Sequence, residues 1–293
     1  MSKNISYSQF SMSSKCPYRW KLNYIDKHRS FSDSIHTVFG TSMHEVFQTY
    51  LNVMYSKTVK VADSLDLNGL LKERLTRNYE EARESNNDGI DFCTRDDLVE
   101  FYYDGIKIIE FLKKHRASYF GKKNYELLGI EVELNFDLPG NLKFNGFIDV
   151  IIRDTRNNRI KIYDIKTSTN GWNKWVKKNK NKTDQLLLYK QFYSKQYDLP
   201  LDRIDVEFFI VKRKLYENVD WPQKRVQQFT PANGTPSINK VVSHFKEFVS
   251  DCFTDDGEYQ NDHIYRKEPS TKNCRWCEFK DKPELCDKGG VKV

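Results

Sequence analysis

The sequence predicts an α/β fold in which a helical lead-in precedes a central mixed β-sheet flanked by helices. Apolar residues recur every three or four positions in the first half, the interval shortens to two from residue 125, and a helix and another strand then follow. We expect one domain over 1–293, made of a lead-in at 1–124, a core at 125–213, and a C-terminal helix with a cysteine-bearing tail at 214–293.

The lead-in and the first strands are bounded by loop and turn residues. The three- and four-residue intervals predict helices at 6–26, 38–56, 66–86 and 95–117, with a loop, SNNDGIDFCTRDD, before the last of them. The two-residue interval predicts strands at 125–138, 142–153 and 159–167, separated by PGN and DTRNN. We therefore expect three consecutive strands joined by hairpins.

The remaining elements follow a lysine-dense stretch, NGWNKWVKKNKNKT. QLLLYKQFYSKQY is amphipathic, and Thr183 or Asp184 is its predicted N-cap. A strand at 203–213 and a helix at 236–253 come next, before an irregular tail. The core order is three strands, a helix and a strand.

The charge and hydropathy exclude some classes of protein. Lys and Arg outnumber Asp and Glu by 48 to 41, and the net charge of +7 favours an anionic partner, nucleic acid first, over a merely solvated basic surface. No apolar run approaches the ~20 residues that a membrane span needs. The N-terminus lacks the regions of a secretory signal, so we expect a soluble, cytoplasmic protein that binds no membrane.

Charged side chains interrupt two of the predicted strands. A period of two puts Asp164 and Lys166 on one face of a strand whose two faces are both expected to be buried. If residues 155–158 form the connection, Asp149 falls opposite Asp164, with Cβ atoms about 5 Å apart. If Asn157-Asn158 forms a two-residue turn, Asp149 falls opposite Lys166 instead. Either register brings the three charges together.

Two carboxylates in apolar surroundings repel each other unless a cation or a proton lies between them. Mg²⁺ or Mn²⁺ suits such oxygen ligands, and Lys166 would orient a water or stabilise developing negative charge. A buried Asp-Lys ion pair, with Asp149 capping a turn, is the alternative. Glu131 is expected as a third acid if the connection at 139–141 has three residues, and a solvent-side glutamate is the alternative there.

The combination GFIDV, YDIKTS and QLLLY resembles the PD-(D/E)XK nuclease superfamily, and within it the RecB-like exonucleases. GTSMHEVFQTYL resembles the family's helix with a metal-facing histidine, and SKCPYRWKLNY resembles its entry segment. The resemblance implies a sheet of the restriction-endonuclease-like type.

The resemblance also implies roles for individual residues. Asp149 and Asp164 would be metal ligands, Lys166 the catalytic lysine, and His44 an additional ligand; by itself His44 is more often a packed histidine. The resemblance does not settle Glu131. Gln185 and Tyr189, four apart on one helix face, would lie beside the metal centre and contact the substrate backbone, the alternative being an ordinary helix surface.

The lysine-dense stretch is a candidate nucleic-acid contact because it lies between the catalytic strand and this helix. Basic side chains follow phosphates and tryptophans stack on unpaired bases. A solvated loop is the alternative. The candidate residues are Trp172, Lys174, Trp175, Lys177 and Lys178.

The six cysteines are too sparse for a disulfide framework. Cys274 and Cys277 have chelate spacing and Cys286 follows, so three thiolates need a fourth ligand, for which Cys16 is the candidate. RecB-like nucleases with an iron-sulfur cluster distribute their cysteines in this way, which implies a structural [4Fe-4S] cluster, although the last spacing is longer than usual. Tetrahedral Zn²⁺ is the alternative, and Cys93 and Cys252 are expected to be unligated.

These observations favour a metal-dependent DNA exonuclease that acts at ends or on single strands. A structure-selective endonuclease of the same superfamily and a catalytically silent nucleic-acid-binding subunit are the alternatives. The resemblance implies roles in recombination, repair or viral DNA processing, and leaves a helicase or recombination partner open.

Overall fold

The computed structural model describes residues 3–28, 33–86 and 89–292. Its helices are α1 (Tyr7–Ser13), α2 (Pro17–Tyr24), α3 (Ile35–Ser56), α4 (Val59–Asp63), α5 (Leu67–Asn86), α6 (Arg95–His115), α7 (Lys174–Lys178), α8 (Lys180–Gln196), α9 (Thr235–Cys252) and α10 (Thr271–Cys274). Its strands are β1 (Lys3–Ile5), β2 (Tyr125–Leu138), β3 (Leu142–Asp154), β4 (Arg159–Ser168), β5 (Ile204–Lys212) and β6 (Val226–Phe229). No helix in the described ranges is long and apolar enough to cross a membrane.

The strands of the described chain form one mixed sheet around β3. One edge of β3 pairs antiparallel with β2 along almost its whole length. The other edge pairs with β1, in parallel, at residues 142–144, and with β4, antiparallel, at residues 150–154. Parallel β5 and antiparallel β6 continue the sheet beyond β4. The predicted class, a mixed sheet flanked by helices, is confirmed.

Two apolar cores cover the two faces of the sheet. Side chains from α1, α8 and α9 pack on one face, around Phe144, Ile162 and Phe208. Side chains from α3, α5 and α6 pack on the other face, around Ile165 and Phe209. Both faces of β4 are therefore buried, as the sequence predicts, and the sheet carries helices from opposite sides toward the middle of β3.

Several elements differ from the sequence prediction. The helix predicted at 6–26 is two helices, α1 and α2, and α4, α7 and α10 lie where no helix was predicted. β1 is only three residues long and its pairing with residues 142–144 is distant in sequence, so no local pattern indicates it. β6 has only four residues. The predicted N-caps of α8 were wrong: Asn179 is the N-cap, since its side chain accepts a hydrogen bond from the Asn181 backbone, and Thr183 is buried within the helix.

A short helix occupies part of the lysine-dense stretch. α7 begins after Asn173, whose side chain accepts hydrogen bonds from the backbone N–H groups of Trp175 and Val176. Trp172, just before it, is only 8 % exposed, and its ring lies 4.8 Å from that of Phe208. A ring buried in the core offers no face to a nucleic-acid base, so Trp172 was wrongly predicted as a contact residue.

The two tryptophans of this stretch should respond differently to truncation. We expect Trp172→Ala to lower the free energy of unfolding by about 3–5 kcal/mol, because it leaves a large cavity beside Phe208. Trp175 is 69 % exposed, and Trp175→Ala should change the same quantity by less than about 0.5 kcal/mol. Urea unfolding followed by circular dichroism measures both. Equal effects would contradict the assignment of Trp172 to the core.

Candidate active site

The candidate site lies where β3 and β4 part. Their ladder begins at Asp154 and Arg159 and ends at Val150 and Tyr163, so the connection at 155–158 is the observed one and the two-residue turn is excluded. The next residues along the two strands are Asp149 and Asp164. Oδ2 of Asp149 accepts a hydrogen bond of 2.6 Å from the backbone N–H of Ile165. The carboxylate of β3 is therefore fixed against the strand that carries the second carboxylate.

In both β2 and β3, the alternation of side chains between the two faces of the sheet is interrupted beside the candidate site. Ile148 packs in the core on one face and Val150 packs in the core on the other, so the change of face occurs at Asp149. On β2 the same change separates Val132 from Ile130. The residue between them, Glu131, has a φ of +49°, which costs a non-glycine residue about 1–3 kcal/mol.

The connection at residues 139–141 has the three residues that the prediction for Glu131 required. Ile130 pairs with Val150 and Val132 pairs with Ile148, so Glu131 falls opposite Asp149. The unfavourable backbone at Glu131 thus turns a carboxylate toward the end of β3. Strain of this kind is concentrated at functional sites.

Helix α3 brings an imidazole to these carboxylates. It crosses the end of β4 so closely that a Cβ at Gly40 would lie 3.1 Å from Oγ1 of Thr167. One turn later, His44 Nδ1 lies 3.8 Å from Oδ2 of Asp149. Gln48, one further turn along, donates a short hydrogen bond to Glu131. Glycine at position 40 permits the close approach that places the histidine.

His44, Glu131 and Asp149 each offer a ligand atom, and these atoms all lie within 4.8 Å of one another. Within the described residues, Asp164 does not join this group. Its carboxylate is instead tied to Lys166, whose Nζ lies 2.8 Å from Oδ2 and donates a hydrogen bond of 3.0 Å to Oδ1. The structure therefore brings three of the four predicted ligands together and places the fourth beside them, on the lysine.

Helix α8 contacts the lysine from the opposite side. Lys166 Nζ donates a hydrogen bond of 3.3 Å to Gln185 Oε1, and Gln185 Nε2 donates one of 3.1 Å to the hydroxyl of Tyr189. The Tyr189 ring lies against Gly146, where a Cβ would be 3.1 Å from it. Gln185 and Tyr189, the pair predicted on α8, thus form a chain of hydrogen bonds that leads to Lys166 on β4.

Burial sets the protonation of the aspartates. Burial raises the pKa of Asp149 to about 6, although Lys166 opposes the shift. Burial also raises the pKa of Asp164 to about 6, again against the attraction of Lys166 and with a contribution from the charge of Asp149. The two carboxylates therefore sit in an environment that disfavours their charged forms.

The two basic groups of the site have opposite pKa shifts. Burial lowers the pKa of His44, and the charge of Lys166 lowers it further, so the imidazole is neutral at pH 7. Burial alone would lower the pKa of Lys166, but the charges of Asp164 and Asp149 outweigh it and raise that pKa. The site thus holds a neutral imidazole, which is the form that binds metals, and a charged ammonium.

The donor set fits a divalent metal ion. An imidazole nitrogen and carboxylate oxygens suit Mn²⁺, and carboxylates with water suit Mg²⁺. Oδ2 of Asp164 is buried, and its partner within the described residues is the Lys166 ammonium 2.8 Å away, so this carboxylate is held beside the three grouped ligands. A cation would also offset the cost of burial, and the smaller repulsion between the carboxylates, that raise the aspartate pKa values.

Two side chains at the site escape prediction from the sequence. Gln48 follows His44 by four positions, so helical spacing alone puts it on the same face of α3, and that signal was available. Tyr7 is buried near the site: burial first, and then the charges of Asp184 and Asp164, raise its pKa. Tyr7 lies far from the other site residues in sequence, and only the folded sheet brings it there.

The predicted nucleic-acid contacts other than Trp172 lie on α7. Lys174 Nζ is 5.1 Å from the centre of the exposed Trp175 ring, and Lys177 Nζ is 5.5 Å from that of Phe229. Lys178 is exposed. The exposed Trp175 ring beside the ammonium of Lys174 remains a candidate contact.

The four predicted cluster cysteines line one cavity formed by the two ends of the chain: Cys16, Cys274, Cys277 and Cys286. The N-terminal side is held to the tail by hydrogen bonds, since the hydroxyl of Tyr18 donates to the carbonyl of Leu285 and Asn23 donates to Glu278. Within the described residues, these cysteines do not form a group of three ligands like that of His44, Glu131 and Asp149. Cys252 is buried in the core, as expected for an unligated thiol.

The chain matches the model of the PD-(D/E)XK nuclease superfamily over residues 4–282. It belongs to this superfamily. The match covers both the strands that carry the carboxylates and the helix that carries His44. Nucleases of this superfamily use divalent metal ions, and the site of His44, Glu131 and Asp149 in this chain has the chemistry to hold one.

Among solved structures, the chain is similar to a protein from Eubacterium rectale described as a "Putative exonuclease". The two share 11 % sequence identity and a TM-score of 0.51, and the similarity covers 99 % of this chain and 89 % of that one. At this identity the likeness concerns the fold. No curated protein matches the chain.

The raised pKa of Asp149 makes a prediction about stability without metal. The carboxyl binds a proton in the folded state up to about pH 6 and in the unfolded state only up to about pH 4, so the stability of the folded state falls as pH rises through that window. Asp149→Asn removes the free-energy cost of burying a charged carboxylate. We expect urea unfolding in EDTA at pH 8 to show a variant up to about 2 kcal/mol more stable than wild type, with the difference shrinking toward pH 4.

The exposed Asp137, on the same hairpin, provides the matched control. Asp137→Asn should leave stability within about 0.5 kcal/mol at both pH values. An Asp149→Asn variant that is destabilised equally at pH 4 and pH 8 would contradict the electrostatic interpretation of the site.

Proposed function

We propose that this nuclease is a metal-dependent DNA exonuclease that hydrolyses phosphodiester bonds at DNA ends or in single strands. One observation carries the proposal: the ligand atoms of His44, Glu131 and Asp149 lie within 4.8 Å of one another, beside the ion pair of Asp164 and Lys166. The proposed ion is Mg²⁺ or Mn²⁺, held by these three residues together with Asp164. When bound, it polarises the scissile phosphate and acidifies a water.

The side chains then have distinct roles. Asp149 and Asp164 supply negative charge to the metal site, and Lys166 either orients the attacking water or stabilises the charge that develops on the phosphoryl oxygens. Hydrolysis joins the oxygen of water to phosphorus and breaks the bond to the leaving oxygen, which takes up a proton. Gln185 holds Lys166 by a hydrogen bond, and Tyr189 completes that chain. Gln185 and Tyr189 would contact the substrate backbone.

Two arguments support an exonuclease over an endonuclease. The motif residues resemble the RecB-like exonuclease branch, and the similar structure from Eubacterium rectale is described as a "Putative exonuclease".

Retention of the buried charges Asp149, Asp164 and Lys166 argues against a silent binding subunit, since such charges are unfavourable without a metal. We propose a role in recombination, repair or viral DNA processing, with a helicase or recombination partner as one possible setting.

We also propose that the four cysteines hold a [4Fe-4S] cluster that staples the chain ends. They line a single cavity, and that is the support for a shared group. A tetrahedral zinc ion on the same four thiolates is the alternative.

An end-labelled linear DNA and a closed circular DNA separate the candidate activities. With Mn²⁺, we expect degradation of the linear DNA and no cutting of the circle, because an exonuclease needs an end. Gel electrophoresis measures both products. Cutting of the circle would show an endonuclease, and binding without any cutting would show a silent subunit.

Variants of the central ion pair test the assignment of the site. Asp164→Ala and Lys166→Ala should each lower the cleavage rate by at least about 100-fold, because they remove groups that stabilise the transition state. The matched controls are Asp137→Ala and Lys143→Ala, an exposed pair in the same sheet with a separation of 3.5 Å. Thermal melting checks that all four variants fold. Normal cleavage by both site variants would refute the assignment.

The cluster has a direct spectroscopic test. Anaerobically purified protein should be brown, with broad visible absorbance and about four iron atoms per chain, and Cys277→Ser should lose the colour. Cys252→Ser is the control that keeps it, since Cys252 is buried away from the cavity. A colourless protein that contains zinc would decide for the zinc site.

A further inference from the structure

A row of three lysines lies between the candidate nuclease site and the four-cysteine cavity. We call Lys182, Lys15 and Lys272 the lysine track. Within the described residues, their ammonium groups form no ion pair and no hydrogen bond. Three positively charged side chains without an ion-pair partner along one path favour the binding of an anion.

Lys182 forms the end of the track nearest the nuclease site. It lies in the first turn of α8, three positions before Gln185 and seven before Tyr189, which puts all three residues on one face of the helix. Its ammonium interacts electrostatically with Lys166 and Asp164. Lys182 therefore lies on the side of α8 that faces the catalytic strand.

Lys15 continues the track across the junction of α1 and α2. Ser11, one turn earlier on α1, donates a hydrogen bond of 3.5 Å to the carbonyl of Asn181, the neighbour of Lys182. On its other side, the carbonyl of Lys15 accepts a hydrogen bond of 2.8 Å from Asn273 of α10. Lys15 is thus fixed between the start of α8 and the start of the cysteine-bearing tail.

Lys272 forms the far end, next to Asn273 and two positions before Cys274. The ammonium of Lys15 lies within electrostatic reach of Arg19, Lys182 and Lys272. Arg19 is neutralised by Glu278. Lys182 feels the attraction of Asp164 but forms no ion pair within the described residues, and neither does Lys272, so an anion bound along the track would relieve their repulsion with Lys15.

The chemistry of the anion follows from the neighbours of the track. One end meets a site for phosphodiester hydrolysis, and the other end carries Trp276, which is 81 % exposed and lies between Cys274 and Cys277. Cations that follow a backbone together with an aromatic face for a base are the recognition elements of single strands. We propose that the lysine track binds phosphates of one DNA strand between the nuclease site and the four-cysteine cavity, where Trp276 stacks on an unpaired base.

This inference rests on the proposed function, because it assigns the path of that enzyme's substrate. It gives the cysteine-bearing tail a second role. The tail positions Lys272 and Trp276, so the group held by the cysteines would shape the far end of the strand path.

Binding of a fluorescent single-stranded DNA of about 16 nucleotides, measured in EDTA to prevent cleavage, tests the track. Replacing all three lysines by glutamine (K15Q/K182Q/K272Q) should weaken binding by at least about tenfold. The slope of log affinity against log salt concentration should decrease in magnitude by about 2, because three phosphate contacts are lost. Trp276→Ala should weaken binding by about tenfold and leave the slope unchanged.

Two control proteins make the result decisive. K60Q/K72Q/K114Q removes the same charge from exposed lysines on α4, α5 and α6, whose helices pack on the other face of the sheet, and should leave the affinity near that of wild type. K15R/K182R/K272R keeps the charges and should retain binding. Equal losses in the two glutamine variants would overturn the track, as would a glutamine track variant that binds like wild type.

Failure of the proposed function is a separate outcome. Cleavage of end-labelled DNA by the wild-type protein with Mn²⁺ tests the nuclease, whereas binding in EDTA tests the track. A wild-type protein that cuts nothing but loses binding when the track is neutralised would refute the exonuclease and support the strand path.

Discussion

The structure depends on the cost of holding carboxylates in an apolar interior at the point where β3 and β4 part. Asp149 and Asp164 follow the last paired residues of the two strands, and burial raises the pKa of both to about 6. A hydrogen bond from the Ile165 backbone and the ammonium of Lys166 compensate only part of that cost. A bound cation would offset the remainder, and the nearby imidazole and Glu131 offer further donor atoms.

The two cores explain how this site is assembled from distant segments. The core on one face fixes α3 and so places His44 and Gln48. The core on the other face fixes α8 and so places Gln185 beside Lys166. In β2 and β3 the residues before and after Glu131 and Asp149 pack into different cores. The side chains of Glu131 and Asp149 can therefore meet side chains from the helices on both faces of the sheet. The side chains of the candidate site are thereby held by helices and strands, which favours a fixed geometry.

Much of this arrangement follows from local patterns in the sequence. Alternating apolar residues predicted the three hairpin strands. They left two lengths open for each connection, and the structure selects the ones that put Glu131 and Asp164 opposite Asp149. Other features have no local signal: β1 forms only by pairing with residues 142–144, and Tyr7 reaches the site through that pairing. The tryptophan pair shows the same limit, because Trp172 and Trp175 occur in one polar stretch while only the first packs on Phe208. The separation of Asp164 from the other ligands depends on its ion pair with Lys166, which spacing does not determine.

The central claim is that one dication sits among the imidazole and carboxylates at the end of β3. A crystal soaked with Mn²⁺ and measured at the manganese absorption edge locates such an ion directly. The account predicts an anomalous peak within bonding distance, about 2.0–2.4 Å, of His44, Glu131 and Asp149, and its loss in Asp149→Asn. A crystal with no peak at these residues, or with manganese bound only elsewhere, would contradict it.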